Sequence, residues 1–464
     1  MKNRLIFTLF FLVYNLVFAA DLRFPVVFAD NMVLQQSSNV AIWGRYVAGQ
    51  KLKIVGSWNQ FDTVVALVDN LAKFKTILKT PKAGGPYTLK VIGKTESREF
   101  HNVMMGEVWL CSGQSNMGFV VGECNQTQQD VANADTPNIR SISISRTGSE
   151  TLQENANGDW QVSNSNTVKN TSAVGYFFAR ELQKKLNVPV GIICSSWGGT
   201  PVEVWMKQES FDNDSVLKNV ALKLPSYTDY PNKIAACYNG MIHPIIPYGI
   251  AGVIWYQGES NTKTSQTVYA HSLETMIDSW RKDFGKDFPF YFVQIAPFQY
   301  KTEKAYIIRE QQALVAKYPG CSMVVVSDLV DDVKNIHPNN KIDVGNRLAN
   351  LALNQIYNDK SLICQSPIYK SMKVKGSQII VEFANAPNGL ICKGEKPTCF
   401  YIAGVDQKFV VADAVIQSGK VIVSNTSIKS PVAVRFSFTN DDIPNLFSLE
   451  GLPAAPFRTD NWAL

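Results

Sequence analysis

The sequence predicts an α/β protein in which a parallel sheet, covered by helices on both faces, stands between two β-rich segments. Two observations carry that prediction. Between residues 105 and 360, short and nearly continuous apolar runs alternate with stretches whose apolar residues recur at helical spacing. Before 105 and after 360 the runs are instead short, β-branched and aromatic, with Gly, Pro and polar turns between them.

The central runs are EVWLCSG, NIRSISIS, PVGIICSSWGG, GIAGVIWYQGES, FPFYFVQIAPF and CSMVVVSDL. A strand without polar alternation is buried on both faces, as strands of a helix-covered parallel sheet are. The intervening AVGYFFARELQKKL sets Val174, Phe177, Phe178, Leu182 and Leu186 on one side. AHSLETMIDSWRKDF, AYIIREQQALVAKY and DVGNRLANLALNQIY behave alike. Upstream, NVAIWG, KLKIVGSW, FDTVVALV, KFKTILKT and YTLKVIG suggest a small β-sandwich, and QIIVEFANA to PVAVRFSF suggest a second β-rich module. Residues 145–170 and 205–235 are polar and lack clear periodicity, so they read as insertions beyond strand ends. The expected division is a leader at 1–20, a β-rich domain at 21–104, the α/β domain at 105–360 and a β-rich region at 361–464.

The leader expectation rests on Lys2 and Arg4, an apolar run from Leu5 to Phe18, and Ala19 and Ala20. A basic start, an apolar core and small residues at the end form a secretory signal, so the chain is expected to be exported, secreted or periplasmic. The run is shorter than the roughly 20 apolar residues of a spanning helix, and no later stretch is long enough, so no stable membrane insertion is expected. The formal charge of +6 falls to +4 without Lys2 and Arg4. No Lys/Arg cluster supports a nucleic-acid partner. Of eight cysteines, Cys392 and Cys399 are the pair best spaced for a bridge, while Cys111, Cys194 and Cys321 in apolar runs read as buried thiols. With no CxxC and four histidines, standard zinc spacing is absent and no metal site is expected.

Chemistry concentrates at strand ends, where ligands bind in open α/β sheets. Gly113-Gln114-Ser115-Asn116-Met117 follows the first run. Ser196-Trp197-Gly198-Gly199-Thr200 follows the third, and Gln257-Gly258-Glu259-Ser260-Asn261 follows GVIWY. A fourth polar stretch, SDLVDDVKNIHP, brings Asp328, Asp331, Asp332 and His337. A hydroxyl is a weak nucleophile until a base takes its proton, and His337 is such a base near neutral pH. Acyl transfer also needs donors aimed at the developing oxyanion. Gly198 or Gly199 offers backbone N–H groups, Gln257 or Asn261 a side-chain amide, and Ser115 its own N–H.

The stretches GEVWLCSGQSNM, GIICSSWGGTPVEVW, YNGMIHPIIPYGIAGVIWYQGESN, IHPNNKIDVGNRLA and GLPAAPFRTD resemble the sialate O-acetylesterases, SGNH-type carbohydrate esterases. The resemblance runs from about Met32 to Asp460. It implies a flavodoxin-like three-layer catalytic domain with flanking β modules, Ser115 as nucleophile, His337 as base, and no metal or organic cofactor. It implies as partner an O-acetylated sialic acid or another acetylated glycan. One position departs from the SGNH pattern: three residues before His337, where an orienting Asp is usual, stands Lys334. Glu259 and Asp332 are the leading substitutes, with Asp331 and Asp328 behind them. The expected activity is deacetylation of O-acetyl sialic acids through an acetyl-serine. The alternatives are an esterase of acetylated polysaccharide such as xylan, or a secreted carbohydrate-binding protein with a vestigial site.

Overall fold

A computed structural model describes residues 21–124, 128–224 and 231–464. The expected leader at 1–20 lies outside the described residues. Among the described residues no helix is long and apolar enough to cross a membrane.

The central sheet runs in the order Cys321–Val324, Phe290–Val293, Gly252–Tyr256, Ser97–Gly113, Val190–Ser196, Thr136–Ser143 and Trp160–Ser163. All neighbours are parallel except the last pair. Leaving aside the two strands at the Thr136 edge, the order is the flavodoxin-like 2-1-3-4-5, with its switch point between Ser97–Gly113 and Gly252–Tyr256. Successive side chains serve opposite faces. Val253 and Trp255 enter one core, Ile254 and Tyr256 the other. Helices Tyr269–Phe284 and Ala305–Val315 cover the first face through Met276, Ile277, Trp280 and Ile308. Helices Ala173–Leu186 and Lys341–Gln355 cover the second through Phe177, Phe178, Leu182 and Leu348. These last two approach closely because a Cβ on Gly345 would fall 2.7 Å from the Phe177 Cβ. Ser172 caps the first by accepting the Gly175 N–H at 3.2 Å, and Asn340 the second by accepting the Asp343 N–H at 3.0 Å.

The change of pattern near residue 105 is not a linker. It lies inside one strand, Ser97–Gly113, which as far as Asn102 buries only Phe100 and from Val103 to Gly113 buries every residue. The first half pairs antiparallel with Gly84–Ile92 in the N-terminal β module, and the second half is the middle of the central sheet. The polar insertions carry more structure than their composition suggested. Trp160–Ser163 adds an edge strand, pinned by the Trp160 indole N–H donating to the Val27 carbonyl at 2.9 Å. Short helices Gln208–Asp212 and Ser215–Ala221 occupy the second insertion.

In the C-terminal region, Ile368–Lys375, Gln378–Ala384, Lys420–Ser424 and Asp413–Gln417 form one antiparallel sheet. A second sheet contains Phe400–Ala403 and Ala433–Phe436, and Ile379, Val381, Phe400 and Phe436 share the core between them. The expected Cys392–Cys399 bridge is not formed, and both residues remain thiols. Cys392 Sγ turns to the Gly394 carbonyl at 3.4 Å and Cys399 Sγ to that of Ile443 at 3.6 Å.

Candidate active site

The switch point of the sheet forces a sharp turn after Gly113. This residue has φ +135°, and a Cβ on it would lie 2.2 Å from the Tyr256 carbonyl oxygen on the neighbouring strand. Only glycine fits such an approach. The next amide, Gln114 N–H, donates to that same carbonyl at 2.9 Å. The chain then enters the short helix Ser115–Gly118, which lifts the Ser115 side chain above the strand ends.

The Oγ of Ser115 lies 2.8 Å from Nε2 of His337. His337 is half-buried on the loop after the last strand, and its own N–H donates to Asn335 Oδ1 at 2.9 Å. Gly198 lies against the serine, where a Cβ would be 3.3 Å from the Ser115 Cβ. The backbone N–H groups of Ser115, Gly198 and Gly199 donate no hydrogen bond among the described residues. They remain available to an oxyanion. The cleft above them has a volume of about 810 Å³ and reaches out to Lys263, Phe298, Tyr300 and Lys301. Its far wall is held by the C-terminal module. Asn440 accepts the N–H groups of Phe298 and Ala305 at 3.0 and 2.9 Å and donates to the Glu303 carbonyl at 2.7 Å.

The His337 imidazole titrates below its ordinary value. Burial is the larger cause, the Lys341 ammonium is next, and Glu123 opposes them. The ring is therefore held in its basic form. Among the described residues no group of three or more His, Cys, Asp or Glu side chains is placed to hold a metal ion.

Neither leading carboxylate hydrogen-bonds the imidazole. Glu259 is buried beside the site, but its Oε1 accepts the Asn116 side-chain amide at 2.6 Å. Asp332 is exposed and accepts the Lys334 N–H at 2.8 Å. Of the lesser candidates, Asp331 accepts the Asn339 amide at 3.2 Å, and Asp328 pairs with both terminal nitrogens of Arg347 at 2.7 and 2.6 Å. Asp331 and Asp332 are used in Asx-type turns that fold their own loop, Asp328 is held by Arg347 of the following helix, and Glu259 is held by Asn116.

Gln257 and Asn261 are likewise not presented to the cleft. Gln257 is fully buried, its amide nitrogen donating to Asn261 Oδ1 at 2.7 Å and the Thr200 carbonyl at 3.2 Å. The Tyr269 hydroxyl donates to its Oε1 at 2.9 Å. Asn261 in turn donates to Glu203 at 2.9 Å and accepts the Val202 N–H at 3.0 Å. These amides join three strand-end turns. His243 does not line the cleft at Ser115, and its Nδ1 lies 2.7 Å from the Gln153 carbonyl. Trp205 and Trp255 are core residues.

Sequence reasoning did not single out Asn116 or Lys341. Asn116 is fully buried and makes three contacts. It donates to Glu259 and, at 3.1 Å, to the Ile336 carbonyl, and it accepts the Lys341 ammonium at 2.6 Å. The available signal was spacing: Lys341 stands four residues after His337, at the start of an amphipathic helix.

A family model described as carbohydrate esterase, sialic acid-specific acetylesterase, matches residues 105–354. Sialate O-acetylesterases of Homo sapiens and Pongo abelii are each 30% identical to this chain, covering 76% of it and 74% of their own lengths. The crystal structure of a carbohydrate acetylesterase from Xanthomonas citri is 32% identical, with a TM-score of 0.87, covering 95% of this chain and 100% of that one.

Proposed function

The chain belongs to the sialic acid-specific acetylesterase family of carbohydrate esterases and is a carboxylic ester hydrolase; from that premise we propose that it is exported and removes O-acetyl groups from sialic acids through an acetyl-serine on Ser115. The observation that carries the reading is the 2.8 Å contact between Ser115 Oγ and His337 Nε2 beside unused backbone donors.

His337 Nε2 takes the Oγ proton as Oγ attacks the acetyl carbonyl carbon. The oxyanion that forms accepts hydrogen bonds from the N–H of Ser115 and of Gly198 or Gly199. Collapse expels the sugar oxygen, which receives the proton back from His337. A water then loses its proton to His337 and attacks the acetyl-serine, releasing acetate and restoring the serine. No carboxylate is required to move a proton at any step.

Two ammonium groups support an acidic sugar as the substrate, although Glu303 also lines the cleft. Lys263 and Lys301 are exposed along its wall, and Lys301 makes no ion pair among the described residues. An ammonium at that edge complements the carboxylate of a sialic acid, which xylan lacks. The test compares acetate release from O-acetylated sialic acid, acetylated xylan and a simple aryl acetate by the wild type and Ser115→Ala. Loss of all activity in the variant with preference for the sialic ester supports the reading. Retention of wild-type aryl esterase activity by Ser115→Ala sinks the nucleophile, and preference for xylan sinks the substrate.

A further inference from the structure

We infer that Lys341 is a positioning residue of the hydrolytic site, acting through Asn116 to lock the nucleophile turn against the His337 loop and placing a buried positive charge on the Phe119 ring that His337 also meets. This rests on the reading of Ser115 and His337 as nucleophile and base.

Lys341 is 1% exposed, although it opens a surface helix of the domain. A lysine is almost never fully buried without a partner, because removing an ammonium from water is costly. Its Nζ donates to Asn116 Oδ1 at 2.6 Å and sits over the rings of Phe119 and Tyr256, 5.1 and 5.5 Å from their centroids. Both rings flank the catalytic turn. Phe119 follows the Ser115 helix and lies 6.2 Å from the His337 ring, and Tyr256 supplies the carbonyl that receives the Gln114 N–H.

Asn116 is the hub that makes this placement matter. It is the residue after the nucleophile, and it bonds the carbonyl of the residue before the base. A misplaced Asn116 would disturb both partners of the 2.8 Å Ser115–His337 contact together. The ammonium at Oδ1 also fixes which end of the amide is which, so that Nδ2 faces Glu259 and Ile336. Glu259 Oε2 is buried with no hydrogen-bond partner; burial pushes this carboxyl up, and its own backbone N–H, the Asn116 amide and then the Lys341 charge draw it back.

The charged and titratable groups facing Lys341 are Glu259, Cys124 and Asp331, and those facing His337 are Lys341 and, opposing it, Glu123. Burial brings the ammonium down to about 8, against the upward pull of Glu259 first and then Cys124 and Asp331. The lysine is thus charged through neutral pH, where it disfavours a second positive charge on the imidazole.

The experiment uses the full-length enzyme with Lys341→Met, Lys341→Gln and Lys341→Arg, assayed on an aryl acetate across pH. Methionine matches the volume without the charge. The expected result for Lys341→Met is a kcat lower by roughly ten- to a hundred-fold, with KM changed by less than about three-fold. The acid limb of kcat/KM moves to higher pH by about half a unit or more, because the charge that depressed His337 is gone. Lys341→Arg keeps the acid limb at its wild-type position. If methionine prevents folding, Lys341→Gln, which retains a donor to Asn116, shows the same displaced acid limb. An unchanged acid limb in the folded neutral variant overturns the proposal, whether or not kcat falls, since a purely structural lysine would not move it. Ser115→Ala run alongside separates the two failures. If that variant is inactive while the neutral Lys341 variant matches wild type, only the role of Lys341 is lost.

Discussion

Ser115 Oγ and His337 Nε2 lie 2.8 Å apart although 222 residues separate them in the chain. The contact joins the end of the first central strand to the loop after the last. Ser115→Ala and His337→Ala are each expected to lower kcat by at least about 10³-fold, and the double variant by little more than either, because the two act as one unit. Thermal unfolding should stay close to wild type, since neither side chain belongs to a core cluster. Steady-state kinetics beside calorimetry checks this.

The pH profile follows from the sign of the His337 shift. Burial and Lys341 lower its value, so the neutral, proton-accepting form persists to more acidic pH than in a free imidazole. Activity should be full near neutrality and should fall as pH drops through a midpoint below 6.5. A kcat/KM profile with its acid midpoint above 6.5 would contradict this.

Lys301 should discriminate substrates by charge. Lys301→Ala is expected to raise KM for an O-acetylated sialic acid by a few-fold, as suits an exposed ion pair, and to leave KM for a neutral aryl acetate unchanged. Added salt should narrow the difference. Equal effects on both substrates would remove Lys301 from carboxylate recognition.

Gly113 should be the least replaceable residue of the turn. An added Cβ meets the Tyr256 carbonyl at 2.2 Å, and φ is +135°. Gly113→Ala is expected to destabilise the protein by at least about 3 kcal/mol, because backbone must move on two adjacent strands. Chemical denaturation measures it. A loss under about 1 kcal/mol would mean that the strand ends yield more easily than the geometry implies.

Lys341 also predicts a stability signature. Its folded-state value of about 8 lies below its ordinary 10.5, so the unfolded chain binds the proton more readily. The resulting destabilisation is complete below pH 8 and is relieved as pH rises from about 8 to 10.5. The stability of the wild type relative to Lys341→Met should therefore increase across that window. Denaturation of both proteins at several pH values tests it.

Much of the fold was legible along the chain, and for a local reason. Strands buried on both faces lose their polar alternation, and the continuous runs around Leu110, Ile193 and Val253 announced a helix-covered sheet. The jump from mostly exposed to continuously buried residues within Ser97–Gly113 likewise marked the region of residue 105, although no linker stands there. The strand-end glycines and Ser115 were visible because a turn after an apolar run has few ways to be built.

The partners of those residues were another matter. Gln257, Asn261, Glu259 and Asp332 all carry chemistry suited to an oxyanion donor or to orienting His337. In the structure, Gln257 and Asn261 brace turns, Glu259 faces Asn116, and Asp332 folds its own loop. A polar residue's type says what it can bond. Which bond it makes depends on the groups that other strands bring within about 3 Å. By itself the sequence determined the layered sheet, the turn that raises Ser115, and the presence of a late histidine. The tertiary structure alone decided that Asn116 and Lys341 stand behind the Ser115–His337 contact, because burial makes an unpaired amide or ammonium costly and so selects the contacts that satisfy it.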